Sequence, residues 1–431
     1  MDAPTSPRAA SERPYDPIDL SSRAFWARTA EERDDSYAVL RAERPVSWHP
    51  PLEERMFPDP DDPGFWAVVR HEDIVTVSRR HDLFVSGAGV LFENIPEELV
   101  DGSQSLLSMD PPRHTRIRRL ASGAFTWRQI ARMGQRISAH ARRIVDDLAA
   151  RPDGRAEFVA DCAALLPMRV ISDVVGIPHD RQEAMAASVA EGLSAAEGTP
   201  DDSTPAERVM EGNRALRRMA LELAGRRRER PADDLMTSLV QAEIDGERLT
   251  DDEIADFFLV LCIAGNDSTT QAIAHGLRLL TALPAQRAWL LADFDARIDT
   301  AVEEILRYGT PVMTFRRTAA TDTTLGGRDI AAGDKVVMFY DSGNRDAAVF
   351  PRPDRYDLGR DPNPHLAFGG GGAHFCLAAQ LARAQLRALF RELLGRLPDI
   401  EAGEPRFLTG PAIHGVTRLP CRFTPSPQGT A

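Results

Sequence analysis

His365-Leu-Ala-Phe-Gly-Gly-Gly-Gly-Ala-His-Phe-Cys-Leu-Ala-Ala-Gln-Leu-Ala-Arg383 is the stretch on which the reading of this chain turns. Four consecutive glycines, Gly369 to Gly372, strip the Cβ from one run of backbone. That backbone can turn sharply and come close to something flat or bulky. A helical pattern starts directly after Cys376, with Leu377, Leu381, Ala384 and Ala388 on one face. Cys376 therefore sits at a helix N-terminus, where the dipole and free N–H groups favour a thiolate, a strong iron ligand. The residues leave other readings open. Composition alone favours a small, buried, structural cysteine, and the glycines fit an ordinary loop. A phosphate loop would need a Lys-Ser/Thr after the glycines, which is missing. A zinc site from His365, His374 and Cys376 would need a second ligand pair at helical spacing, and no HExxH occurs.

Outward from this segment the chain reads mostly as helix. The stretch 114–150 carries Ile117, Leu120, Ile130, Ile137, Ile144 and Leu148 at helical spacings. A second stretch, 251–283, opens with a capping box, Thr250 to Glu253, and is apolar through Phe257–Ala264. A helix that long and that apolar at its middle is expected to cross the interior. Strand signals are fewer: Phe65–Arg70 and Lys335–Tyr340, the latter preceded by a turn at Thr324–Gly327. The Pro- and Gly-punctuated region 341–375 should be irregular but ordered. The expected fold is mainly α with small β-sheets, in a single domain over 18–431 behind a flexible segment 1–17.

Bulk properties narrow the function. Across 431 residues, 52 basic side chains face 65 acidic ones, a formal charge of -13. That excess argues against a nucleic-acid partner. The cysteines Cys162, Cys262, Cys376 and Cys421 form no CxxC pair, which fits a reducing, cytoplasmic setting. The N-terminus has no apolar core of a signal peptide, and no run approaches a membrane span.

Further motifs fall in order. Glu304 and Arg307 are three apart in a helical stretch, on one face. Pro353-Asp-Arg355-Tyr356 follows in the Pro-rich region. His114 and Arg118 share a face after Asp110-Pro-Pro, and Phe315-Arg-Arg317-Thr-Ala319 adds more cations. Ala264-Gly-Asn-Asp267-Ser268-Thr269 places glycine and polar groups mid-way along the apolar helix, a local violation common at functional sites. Taken singly, each cation is an ordinary surface charge.

Together with the cysteine segment, this ordered set resembles the cytochrome P450 family over roughly residues 15–425. Phe368, Gly369, His374, Cys376, Leu377, Leu381, Ala382 and Arg383 match its haem-binding signature. The loop is one residue longer than in most members, and Ala378 stands where glycine is usual. The resemblance implies the P450 fold, with haem b between the long central helix and the cysteine-loop helix. It implies Cys376 as the axial thiolate, with His114, Arg118, Arg317 and His374 holding the propionates and Phe368, Gly369 and Ala264 beside the macrocycle. Glu304, Arg307 and Arg355 would form a buried structural cluster, and Asn344-Arg345-Asp346 reads as structural. Asp267, Ser268 and Thr269 would move protons into the site of oxygen reduction, Ser268 standing where threonine is usual.

The longer loop, the text around Asp267 with His275-Gly276, and Lys335–Asp346 resemble the bacterial branch that hydroxylates steroids, branched lipids and terpenoids. The implied activity is insertion of one oxygen atom from O2 into a C–H bond of a medium-sized apolar substrate. The alternatives are oxidative cyclisation or coupling without net oxygen insertion, and a non-catalytic haem- or lipid-binding protein. Electrons would come from NAD(P)H through a ferredoxin reductase and a separate ferredoxin, docking near Arg113, Arg116, Arg119 and Arg387. The substrate pocket is expected to draw on Gly89–Leu99 (Val90, Leu91, Phe92), the region 181–215, Leu261, Ala264, Val312–Thr314 (including Met313) and Ile413–Val416.

Overall fold

The computed structural model describes residues 13–57, 59–95, 105–194, 205–244 and 246–425. The helices that frame the site are α1 (His71–Arg79), α2 (Arg113–Ser122), α3 (Leu165–Val175), α4 (Gln182–Ser194), α5 (Asp251–Ala282), α6 (Phe294–Gly309) and α7 (Ala379–Arg396). The fold is mainly helical with small sheets, as the pattern of the chain implies. The expected capping box closes α5: Thr250 Oγ1 accepts from the Glu253 N–H, and Glu253 reaches back to the Thr250 N–H. Helix α5 then runs 32 residues through the core. The stretch 114–150 is two helices rather than one. Gly123–Phe125 forms a short 3-10 turn, and Thr126 caps a new helix, Trp127–Ala149.

Both expected strands join one sheet, built from β1 (Val46–His49), β2 (Phe65–Val68), β3 (Phe84–Val85), β4 (Thr314–Ala319) and β5 (Lys335–Phe339), in the order β1-β2-β5-β4-β3. β2 and β5 pair in parallel with Trp66 opposite Val336, while β4 and β5 pair antiparallel with Arg317 opposite Val336. Both strands are buried along their length, so they read as continuous apolar runs rather than alternating ones. A two-stranded hairpin, β6 (Arg406–Phe407) and β7 (Val416–Arg418), lies against α5.

Of the segment expected to be loose, residues 1–12 lie outside the described residues. Residues 13–17 are tied down. Arg13 pairs with Asp334 at 2.6 Å and lies over Trp48 and Trp66, and Asp16 pairs with Arg44. No helix among the described residues is long and apolar enough to cross a membrane.

Candidate active site

The cysteine loop is built by close backbone approach. Gly369, Gly371 and Gly372 all have positive φ. A Cβ on Gly370 would lie 2.5 Å from Ser78 Oγ, and one on Gly372 would lie 2.5 Å from the Ser78 carbonyl. The three later glycines thus press the loop onto the end of α1, while only Gly369 opens onto free space. The bulky neighbour that the sequence implied is, for most of the loop, a protein helix. Gly372→Ala should cost more than about 1 kcal/mol, since alanine meets both a forbidden φ and a backbone oxygen. Chemical denaturation of wild type and variant would read this directly.

Cys376 N–H donates to the Phe368 carbonyl at 3.0 Å, and the Ala378 N–H is directed at the sulfur. Ala378 itself caps α7. Removal from water pushes the thiol up, and the Ala378 N–H, Arg118 and Arg383 pull it back without cancelling the rise. The helix terminus therefore does not make a thiolate unaided; a cation bound at sulfur would complete the deprotonation.

Around the loop, nitrogen donors converge. The His114 and His374 rings lie 4.2 Å apart. Both ring nitrogens of His114 are buried without a partner. His374 Nε2 meets Ser86 Oγ at 3.1 Å, and Arg118 donates to the Phe375 carbonyl at 2.6 Å. Arg317 is buried, with one bond to the Arg316 carbonyl. Arg316 is committed to the carbonyls of Ala88 and Glu93 and to Asn94 Oδ1, which separates the two adjacent arginines as the sequence reading did. Burial, followed by the arginines, lowers His114 to about 4 and His374 to about 3, so both imidazoles are neutral at pH 7.

Helix α5 is buried or half-buried from Glu253 to Cys262 and buried again from Thr269, but Ile263 and Ala264 between them are uncovered. Ser268 Oγ donates to the Ala264 carbonyl at 3.0 Å. Thr269 is buried in the core, and Asp267, bonded to Asn266 Nδ2 at 3.2 Å, lines a cavity that Ala264 does not border. These residues fit a haem. An uncovered apolar helix face can take a flat macrocycle, arginines bonded to carbonyls but to no carboxylate among the described residues suit two propionates, and a thiol stands ready for the iron. Zinc is not supported: His365 Nε2 is engaged by Glu303 and His374 by Ser86. No cluster of metal-ligating side chains occurs among the described residues.

The structural cluster departs from expectation in one member. Arg307 and Glu304 are fully buried and paired at 2.8 Å. The arginine that joins them is Arg360, at 3.1 Å from Glu304, whereas Arg355 is about half exposed and contributes only its carbonyl to Arg307. Arg355 and Arg360 flank the same turn, and only Arg360 folds back under it. Asn363 Nδ2 and the Asp357 N–H complete the shell of Glu304. Asn344 links this region to the loop, accepting from the Leu366 N–H and donating to Thr310. Glu303, next to Glu304, was missed. It binds Arg383 at 2.6 and 2.7 Å and His365 at 3.0 Å, and Arg383 lies 4.4 Å over the Phe368 ring. The adjacent pair of glutamates was the available signal.

The pocket candidates separate. Leu91 is exposed, and Val312 bridges to Ile413. Val90 is buried, its carbonyl held by the Arg316 N–H, and Leu261 is nearly buried in the core. Phe92 packs into an aromatic core with Trp26, Phe65 and Phe339. Met313 is buried there too, its sulfur accepting from Arg33. Leu91 and Phe92 are adjacent in a bend, one exposed and the other buried. Residues 96–99 and 195–204 of the expected lining lie outside the described residues. The cationic patch is also reduced: Arg113, Arg116 and Arg387 pair with Glu253, Glu247 and Asp299.

A mainly helical fold with a cysteine loop, a buried Glu-Arg cluster and converging cations defines a haem-thiolate protein. The comparisons with known proteins agree. The family model for cytochrome P450 matches residues 297–398. The chain is 42% identical to the methyl-branched lipid omega-hydroxylase of Mycobacterium tuberculosis over 96% of each. It is 35% identical to the steroid C26-monooxygenase of Mycolicibacterium smegmatis over 90% of each. A Mycobacterium marinum cytochrome P450 solved in complex with pseudoionone superposes with a TM-score of 0.91 at 55% identity, covering 96% of this chain and 100% of that one. The chain belongs to the cytochrome P450 family and is a monooxygenase built on cysteine-ligated haem.

Proposed function

We propose that Cys376 would ligate the haem iron, that His114, Arg118, Arg317 and His374 would hold the propionates, and that the enzyme hydroxylates a methyl-branched lipid, steroid or terpenoid. The unpartnered His114 ring, packed on His374 beside Arg118 and Arg317, which have carbonyl but no carboxylate partners among the described residues, supports the site assignment. The relatives' names, a lipid omega-hydroxylase and a steroid monooxygenase, carry the substrate class. Bound haem supplies the oxidising chemistry. The chain's own residues position it and exclude water, with the substrate against Ala264, Leu91, Val312 and Ile413. Two reduced partners, a ferredoxin and its NAD(P)H-dependent reductase, deliver electrons near Phe375 and Arg119, both exposed beside the cysteine loop. Four free cysteines support a reducing, cytoplasmic setting.

Asp267 is the proton-carrying group in this reading. Burial pushes it up to about 7, opposed only by the Asn266 amide. It is protonated below that value and can donate; above it the carboxylate cannot. Turnover should therefore fall as pH rises through about 7. Asp267→Asn should remove that limb of the profile and lower kcat by on the order of 10²-fold. Thr269 and Ser268 would relay the proton, Ser268 by breaking its bond to the Ala264 carbonyl.

The overall reading is tested by turnover of a methyl-branched fatty acid and of a sterol ketone with ferredoxin, reductase and isotopically heavy oxygen gas. One heavy oxygen atom in the product is expected. An oxidised product without it would favour cyclisation or coupling instead. Binding of either compound without any product would favour a haem-containing carrier.

A further inference from the structure

A cavity of about 520 Å³ borders α5 at Asn266, Asp267, Thr270 and Gln271. Its walls come from α3, α4, α5 and the β6–β7 hairpin, among them Leu165, Met168, Ala186 and Val416, so parts of two segments expected to line the substrate pocket, 181–215 and Ile413–Val416, face this cavity. Neither the cysteine loop nor Ala264 or Ser268 borders it. The volume is that of a site for a small organic molecule. Its polar groups are concentrated on α5. Asn266 uses its amide N–H on Asp267, which leaves Asn266 Oδ1 buried with no donor. Asp267 presents its carboxyl to the same space. Glu183, on the first turn of α4, borders the cavity and is exposed to water.

A buried acceptor without a donor is one half of an unmade hydrogen bond. A hydroxyl completes it, donating its one proton to Asn266 Oδ1 while accepting from the Asp267 carboxyl when that carboxyl is protonated. An alcohol adds no charge to a largely apolar chamber, unlike an ammonium group, whose desolvation would have to be offset in full. We infer that this cavity is a second ligand site, taking an apolar alcohol of the kind that hydroxylation itself produces. The link to the product rests on the proposed monooxygenase reading; the cavity and its unpaired acceptor do not. An alcohol held there sits on Asp267 and shares no wall with the Ala264 face. Product would therefore inhibit turnover without competing with substrate.

The test uses the haem-loaded enzyme with phenylimidazole ligated to the iron, so that the substrate position is blocked. Calorimetric titration compares decanol, decyl methyl ether and decylamine. Decanol should bind one equivalent, with the ether weaker by roughly tenfold for loss of the donor. Asn266→Leu should weaken decanol by a similar factor. Ala186→Trp should abolish its binding while leaving the reduced CO spectrum unchanged. No decanol binding to the blocked enzyme, equal affinity for the ether, tighter binding of decylamine, or decanol binding that survives Ala186→Trp would each overturn the site. If phenylimidazole fails to shift the Soret band, the haem reading is at fault. Decanol titration of the wild type against Ala186→Trp then still decides the cavity.

Discussion

Cys376→Ala should abolish the long-wavelength Soret band of the reduced CO complex and bring monooxygenation to background. The sulfur is the one soft ligand on the loop, and no second thiol stands near it: Cys162 and Cys421 lie with the strand Arg155–Glu157 and its partner, and Cys262 is buried in α5. The loop itself should survive. Its shape comes from Gly370 and Gly372 against Ser78, from the Phe368 carbonyl holding the N–H of residue 376, and from Asn344 on Leu366, none of which needs the thiol. Circular dichroism should therefore match wild type. Retention of the long-wavelength band would overturn the ligand assignment, whereas its loss together with the fold would mean the thiol holds the loop.

Glu304→Ala should destabilise the protein by about 3–5 kcal/mol, the loss expected when one partner of a buried ion pair is removed. Arg307 would then be left fully buried with all its remaining bonds to carbonyls: Asn344, Pro353 and Arg355. The cluster also ties α6 to the segment preceding the cysteine loop, so haem retention should fall with stability. Arg360→Ala should be clearly destabilising, because Glu304 loses its second cation. Arg355→Ala should stay within about 0.5 kcal/mol, since its side chain is about half exposed and only its backbone participates. Urea unfolding of the three variants separates the two assignments; a large effect at Arg355 with little at Arg360 would restore the sequence-based one.

That contrast shows what the chain disclosed and what it withheld. Helix α5 was legible because its capping box and apolar middle are local signals. The Glu304–Arg307 pair was legible from helical spacing. The third arginine was not, because Arg355 and Arg360 occupy one irregular segment whose path has no periodicity. The glycine run announced a close approach, but its main partner, the end of α1, lies some 290 residues earlier and left no mark nearby. The propionate-type donors were found by type and order, while the absence of a carboxylate on Arg118 and Arg317 among the described residues and the bare His114 ring are properties of tertiary packing. Pocket residues were the least legible: Phe92 and Met313 look like any apolar lining, and only the packing of distant segments, Trp26, Phe65 and Phe339, takes them into the aromatic core.

The seating of the glycine loop on Ser78 and Arg79 bears on how this enzyme can change. A Cβ at Gly370 or Gly372 would run into Ser78, and Gly371 between them has a left-handed φ, so single substitutions there are strongly disfavoured. Variation in the electronic character of the sulfur must enter from outside the loop. The open route is the tier behind it, where Arg383 lies over the Phe368 ring and Glu303 ties Arg383 to His365. A library aimed at altering redox behaviour should sample that tier, and sample the loop glycines only together with the end of α1.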